Sequence, residues 1–426
     1  MSAAPADRTY YEAVTPRPTA CPPLQGTVSC DVCVVGAGLS GCSAALHLAE
    51  RGYRVVLLEA GRIASGASGR NGGQALAGTS ASQGKLERLS GREAARAVWD
   101  LSLEGLDLVR TLIDRYRIAC DWRSGHLLVA IRPRQEAELH GLMQELGGRY
   151  GYGALRYVPG EELRSMLATQ RYRAALYDSR SGHLNPLAYT LGLAAAAQHA
   201  GAQIFEHTRA LDFSRDGPPT LRTPQGTVHC QTLVLCADVH SGALAPELRA
   251  KQLAVGTCIV STAPLGAERA ARLIANDACV ADMNWVLDYF RLSPDTRLLF
   301  GGRVTYSGFD PMRIAASTRR RMLGVFPQLS DLALEYAWGG YIGITLNRAP
   351  HFGRLTPRIY FMQGYSGQGL VMAGLAGKLV AEAVAGQAER FDVFARIPHA
   401  EFPGGPLLRR PALVLAMLYY RLRDLL

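Results

Sequence analysis

A mixed α/β (α+β) fold is what this sequence predicts: a parallel, doubly wound sheet with an antiparallel sheet inserted into it. Three observations lead there. A β-branched apolar run, Asp31 to Val35, passes directly into the turn Gly36-Ala37-Gly38-Leu39-Ser40-Gly41. A second glycine-rich loop, Gly66 to Gln74, follows the next strand, and a third glycine cluster, Gly364 to Gly369, opens an apolar helix near the end of the chain. Between them, alternating runs such as Val286–Leu292 and Leu298–Phe300 read as strands of a separate antiparallel sheet.

The first unit is complete in itself. From Cys42 to Arg51 apolar residues fall at helical spacing, Gly52 ends the helix, and a second strand, Arg54 to Leu58, runs into Glu59. Gly36 suits the tight turn, Gly38 lets backbone approach a pyrophosphate, and Gly41 lets the helix pack closely on the strand. The helix N-terminus then faces the phosphates with the positive end of its dipole. Glu59, 18 residues beyond Gly41, stands where a carboxylate accepts hydrogen bonds from a ribose. This is a Rossmann-like dinucleotide site.

The loop after Glu59 narrows the choice of dinucleotide. A nicotinamide enzyme has no need of a second small-residue loop at Gly66-Ala67-Ser68-Gly69-Arg70-Asn71-Gly72-Gly73-Gln74. FAD, which is longer and runs on toward a substrate domain, needs backbone amides and small side chains along its length. The alternative reading of these residues is an ordinary flexible loop.

Further along, Tyr189 to Gly201 reads as an Ala-rich helix, Gln203 to Phe205 as a strand, and Val228 to Ala237 as the apolar strand that returns the chain to the flavin. Leu253 to Arg303 carries the antiparallel runs. The helix Leu370 to Val384 closes the pattern with a glycine-rich start.

With 426 residues, 48% of them apolar, the chain has ample material for a core and for two or three compact units. Its nine cysteines are odd in number and scattered, which argues against a secreted disulfide framework, and Cys30 and Cys33 read as buried structural thiols. The net charge of +10 comes almost wholly from dispersed arginines, Lys85, Lys251 and Lys378 being the only lysines. No basic block points to nucleic acid, and no Cys/His spacing points to a metal. The opening residues carry no signal-peptide pattern, so a cytoplasmic location is expected. The C-terminal stretch from Pro411 to Leu426 is apolar, bordered by Arg409, Arg410, Arg421 and Arg423, and too short to span a bilayer. Three readings stand for it: docking on the protein's own surface, peripheral contact with a membrane interface, and an oligomer contact.

The residues DVCVVGAGLSGCSAALHLAERGYRVVLLEAGRIASGASGRNGGQ (31 to 74) resemble the opening of the D-amino acid oxidase-like FAD superfamily, most closely its γ-glutamylputrescine oxidase branch. The likeness continues through Asn185 to Tyr189, Leu287 to Leu292, Arg297 to Gly302, Gln363 to Gly369, Glu389 to Asp392, Phe402 to Gly405 and Tyr420 to Asp424. The resemblance implies a FAD-binding domain of the glutathione-reductase type assembled from residues 29–90, 180–250 and 340–392. It implies a substrate domain from 91–179 and 251–339, and a C-terminal tail, 393–426, with an apolar helix. It also adds Ala60, Ala210, Ala237, Gly340, Tyr365 and Gln368 to the flavin-binding residues of the three glycine motifs. The implied reaction is hydride transfer from a carbon bearing a neutral amine to flavin N5, followed by hydrolysis of the imine, with oxygen or a respiratory carrier as the acceptor.

Some positions depart from the wider superfamily. Gly340 stands where covalently flavinylated sarcosine oxidases carry a cysteine, which implies noncovalent FAD. Val371 stands where the sarcosine type has a carboxylate-gripping lysine, and Gln368 where the γ-glutamylputrescine branch usually has histidine. No lysine lies between residues 252 and 377, which keeps a dehydrogenase open beside an oxidase.

The substrate-facing candidates are Gln74, Tyr289, Arg291 and Tyr341. Tyr289 and Arg291 alternate with Asp288, Phe290 and Leu292 and so share a face. If that face meets the flavin, Arg291 is placed to hold a substrate carboxylate; if not, it is a solvated strand residue. Substrates consistent with the resemblance are γ-glutamylputrescine or a related polyamine conjugate, and, alternatively, a cyclic amino acid such as L-pipecolate. A third reading is a flavin-containing binding or electron-transfer subunit.

Overall fold

The computed structural model describes residues 8–242, 244–305 and 311–403. Two sheets organise the chain. In the first, the strands His351–Thr356, Ile359–Gln363, Gly226–Leu235, Gly26–Val35, Val55–Leu58 and Gln203–Phe205 lie side by side in that order, and Asp212–Phe213 and Thr220–Arg222 extend it beside Gly226–Leu235. Its centre is parallel: Val32 pairs with Val55 on one side and Thr232 on the other, and Val35 with Leu58 and Leu235. The Asp31–Val35 run, expected as a central strand, lies inside a longer one, and Val32, Cys33, Val34 and Val35 are all buried, as a strand covered on both faces must be.

The helix that follows the first glycine turn, Leu39–Ala49, is buried along its whole length between Pro186–His199 and Gly369–Val384. Glycine makes the second of these contacts possible. A Cβ at Gly377 would stand 2.4 Å from the Ala44 nitrogen. Ser43 Oγ donates to the Gly374 carbonyl at 2.6 Å in the same crossing.

The second sheet has the order Leu334–Ile344, Leu253–Thr262, Leu298–Thr305, Asp288–Leu292, Cys279–Asp282, Arg123–Ala130, Ala174–His183, Gln74–Ala75, with Leu155–Pro159 beside Ala174–His183. It is antiparallel except where Cys279–Asp282 runs parallel to Arg123–Ala130. Its outer face packs Phe290, Phe300, Phe326 and Val260 into a core of its own.

The strand ladders correct the expected boundaries. Leu334–Ile344 and Ala174–His183 each continue through a proposed border, at 339/340 and 179/180, because both remain paired within the second sheet to their ends. Helix Arg92–Tyr116, assigned by sequence to the substrate side, packs on the dinucleotide side: a Cβ at Gly105 would come within 2.9 Å of Val371. Of the expected tail, residues 393–395 finish the helix Glu389–Ala395, and 404–426, with the apolar segment, lie outside the described residues. Among the described residues no helix is long and apolar enough to cross a membrane. None of the nine cysteines, all among the described residues, forms a disulfide; Cys30 and Cys33 are buried, as expected for structural thiols.

Candidate functional site

The three glycine motifs, far apart in sequence, meet at the ends of the parallel strands. Gly36, with φ +101°, turns the chain away from Gly26–Val35, and its nitrogen donates to the Leu58 carbonyl at 2.8 Å. A Cβ on Gly41 would lie 1.8 Å from the Gly36 oxygen, and one on Gly36 3.0 Å from the Cys236 oxygen, beside Ala237. Close backbone approach is therefore the reason for glycine at both places. Glu59 accepts from the Ala37 and Gly61 nitrogens, each at 2.8 Å. Those bonds fix the carboxylate at the strand end and leave lone pairs for a ribose. Ala60 beside it is exposed.

The second loop packs directly on the first. Ser68 Oγ accepts from the Leu39 nitrogen at 2.8 Å, and a Cβ on Gly38 would stand 2.7 Å from it. Gly69 leaves no room for a side chain, because its Cβ would lie 2.2 Å from the Ala64 oxygen. Asn71 holds the turn from inside, donating to the Ala67 and Ser68 carbonyls and accepting from the Gly73 nitrogen at 2.8 Å. Arg70 ties the loop to the second sheet: its Nε donates to the Gly339 carbonyl at 2.8 Å, while Trp338 Nε1 donates to the Arg70 carbonyl at 3.0 Å. Gly340 is next in line, its absent Cβ 3.6 Å from that of Arg70.

The third cluster closes on both. Tyr365 Oη and Ser40 Oγ share a hydrogen bond of 2.6 Å, Gln368 Nε2 donates to the Ala77 carbonyl at 2.8 Å, and Ser80 Oγ donates to the Ser366 carbonyl at 2.7 Å. Gly364, Ser366 and Gly367 all have positive φ, giving a sharply turned entry to helix Gly369–Val384. Neither this helix nor Leu39–Ala49 has a side-chain cap from its own N-cap residue. Bare, glycine-lined backbone at two helix starts, with a carboxylate at the intervening strand end, suits the phosphates, ribose and ring of a flavin dinucleotide. Ala210 packs against the core that contains Val35 and Leu58, two residues beyond Thr208, whose nitrogen donates to the Glu59 carbonyl at 2.7 Å.

The substrate-side candidates separate. Tyr289 and Arg291 do share a face, and it meets the second glycine loop. A Cβ on Gly72 would come within 2.7 Å of the Tyr289 ring, and one on Gly73 within 3.0 Å of the Arg291 guanidinium. Burial pushes the Tyr289 hydroxyl well above its ordinary pKa, so at neutral pH it keeps its proton.

Arg291 departs from one of its two expected readings. It is only 3% exposed, so it is not a solvated strand residue. Its Nε donates to Gly72 O at 2.8 Å, its terminal nitrogens to Leu184 O and Leu292 O at 3.0 Å each, and one of them to Tyr11 Oη at 3.2 Å. Four of the five guanidinium N–H groups are engaged, three by main-chain oxygens and one by the Tyr11 hydroxyl. Gln74 donates from Nε2 to Val280 O at 3.0 Å, which leaves its amide oxygen to face other groups. Tyr341 is 37% exposed.

Sequence reading passed over the N-terminal segment. Helix Tyr10–Val14, capped by Thr9 and Glu12, inserts Tyr11, fully buried, between Arg291 and Trp338; its ring meets Trp338 edge-on at 5.6 Å. The Tyr-Tyr pair within a polar lead was the available signal, since two adjacent aromatics seldom stay in water.

With this geometry in view, the comparisons with known proteins are direct. The pattern of the family described as DAO, FAD dependent oxidoreductase, matches residues 31–383. Gamma-glutamylputrescine oxidoreductase of Escherichia coli (strain K12) is 40% identical over 416 residues, covering 97% of each chain. A probable oxidoreductase OrdL of Haemophilus influenzae is 38% identical over 98% of this chain and 97% of its own. Among solved structures, glycine oxidase from Geobacillus kaustophilus superposes with a TM-score of 0.73 at 22% identity, covering 84% of this chain and 95% of that one, a likeness of fold.

Proposed function

Because this chain belongs to the FAD-dependent oxidoreductase family, and is itself a FAD-dependent oxidoreductase, we propose that it oxidises the carbon–nitrogen bond of a small amine, with γ-glutamylputrescine or a related polyamine conjugate as substrate. The observation that carries the reading is the 40% identity to a gamma-glutamylputrescine oxidoreductase along 97% of both chains. Bound FAD supplies the hydride acceptor. The glycine turns at 36–41, 66–74 and 364–369 hold it without covalent attachment, Gly340 offering no nucleophile. Tyr289, Gln74 and Tyr341 shape the substrate side, and Tyr289 acts as a neutral hydroxyl rather than a base. An amine that enters unprotonated needs no dedicated base, so the protein's part is orientation and exclusion of water. Arg291 takes no part in holding a substrate carboxylate on this reading.

One observation favours a second electron acceptor. Residues 253–377, which include most of the second sheet's later strands, contain no lysine, so no ammonium from that stretch stands over the flavin to assist reaction with oxygen. A respiratory carrier then stands beside oxygen as the acceptor.

The test is anaerobic bleaching of the visible flavin band by γ-glutamylputrescine, putrescine, L-pipecolate, sarcosine and D-alanine in parallel, followed by admission of air. Rapid bleaching by γ-glutamylputrescine is the expected result. Bleaching by L-pipecolate alone overturns the substrate assignment, and bleaching by none favours an electron-transfer subunit. Fast reoxidation in air sinks the respiratory acceptor.

A further inference from the structure

Asp238 stands one residue beyond Ala237, at the end of strand Gly226–Leu235, with φ +44°. Its two carboxylate oxygens reach different parts of the protein. Oδ1 accepts from the Gly364 nitrogen at 2.9 Å, the first residue of the last glycine cluster, and Oδ2 accepts from the Gly343 nitrogen at 3.1 Å, in the strand that carries Gly340 and Tyr341. The approach is close enough to dictate the partner, since a Cβ on Gly343 would stand 2.5 Å from Oδ1. Gly343 returns the link: its carbonyl accepts from the Ser366 nitrogen at 2.9 Å. Behind Asp238, Gln252 Nε2 donates to its main-chain oxygen at 2.9 Å and to Gln363 Oε1 at 2.8 Å. One side chain thus joins a parallel-sheet strand, a strand of the second sheet and the entry to helix Gly369–Val384.

The charge is as notable as the bonds. Among the described residues no lysine or arginine pairs with Asp238. The charged or titratable groups that act on it or feel it are His240 on its own turn and Tyr365 on the glycine cluster. Burial raises the Asp238 pKa, while the backbone N–H groups of Gly364, Gly343 and Val239 favour its ionised form; the carboxylate so held, at the place where helix Gly369–Val384 presents its positive end, partly offsets that dipole.

We infer that Asp238 is a positioning residue for the flavin's pyrimidine edge: it locks the 364–369 backbone to the second sheet, and it holds a negative charge that opposes reduction of the flavin. The inference rests on the proposed function, in which the 364–369 turn is one of the three that hold the flavin, and it assigns that turn to the pyrimidine edge.

The test uses the full-length holoenzyme with Asp238→Gly and Asp238→Asn. Both residues accept a positive φ, so neither variant strains the backbone. The readouts are FAD affinity, by titrating flavin-stripped protein, and the flavin midpoint potential, by anaerobic reductive titration. No amine is needed for either, so an error in the substrate assignment leaves the result intact. Asp238→Gly is expected to weaken FAD binding at least tenfold, and Asp238→Asn, whose single amide oxygen keeps one of the two N–H bonds, to recover part of the loss. In Asp238→Asn the two-electron reduction equilibrium is expected to move about tenfold toward the reduced flavin, roughly +30 mV. Wild-type FAD affinity in Asp238→Gly overturns the positioning role. If Asp238→Gly fails to fold, Asp238→Asn alone decides, and a midpoint potential equal to that of the wild type overturns the inference.

Discussion

Arg291 Nε donates to the main-chain oxygen of Gly72 at 2.8 Å, so a buried cation on the second sheet directly supports the glycine loop of the first. The same guanidinium reaches Leu184 O and the Tyr11 hydroxyl. It is a brace at the joint between the sheets, and its removal leaves several buried acceptors without a donor.

Arg291→Met is therefore expected to cost about 3 kcal/mol of stability, the order of one or two buried charged hydrogen bonds, and to weaken FAD retention. Steady-state kinetics separates this from a substrate clamp. The apparent affinity for an amine bearing a carboxylate should change no more than that for a carboxylate-free amine, and a selective loss for the former would restore the clamp.

Tyr11 offers a graded version of the same test. Tyr11→Phe loses only the hydroxyl that accepts from Arg291 and is expected to cost about 1 kcal/mol, whereas Tyr11→Ala also empties the space against Trp338 and is expected to cost about 3–5 kcal/mol. Chemical denaturation of the holoprotein measures both; equal costs would show that the ring contributes nothing.

Two glycines predict opposite outcomes for the same change. Gly41→Ala puts a methyl 1.8 Å from the Gly36 oxygen, while nothing lies within 4 Å of a Cβ on Gly374 in the closing helix. The first variant is expected to purify without flavin. The second should be yellow, and more stable by up to about 1 kcal/mol because alanine loses less entropy on folding. Absorbance spectra of the two preparations decide it.

Asp282 gives a pH dependence with a definite sign. It is 2% exposed, and burial, with the neighbouring Asp288 charge, raises its pKa to about 7. Arg321 pairs with Asp288 at 2.7 Å, and the charge of Arg171 also favours the Asp288 carboxylate. A carboxyl with a raised folded pKa keeps a proton the unfolded chain has already released, so its contribution to stability falls as pH climbs from about 4 to about 7 and stays low above that. Asp282→Asn should raise stability at pH 8 by on the order of 2 kcal/mol and change little at pH 4. Thermal unfolding at the two pH values measures it, and a larger gain at pH 4 would refute the assignment.

What the sequence determined by itself was local. The run Asp31 to Val35, the turn at Gly36 to Gly41, and the helix after it follow from side-chain volume, β-branching and the need for bare backbone, all properties of adjacent residues. Gly364 to Gly369 at the mouth of an apolar helix was legible for the same reason, and so was the alternation that puts Tyr289 and Arg291 on one face. What covers that face was not legible, because period-two alternation fixes the side of a strand and carries no information about the element packed there. Only the tertiary structure set Gly72 and Leu184 against Arg291, and brought in Tyr11 from 280 positions away. Asp238 was unreadable in the same way: its two partners, Gly343 and Gly364, lie more than 100 residues on. A short polar side chain declares its hydrogen-bonding capacity in sequence, but the donors that use it are chosen by the meeting of two sheets.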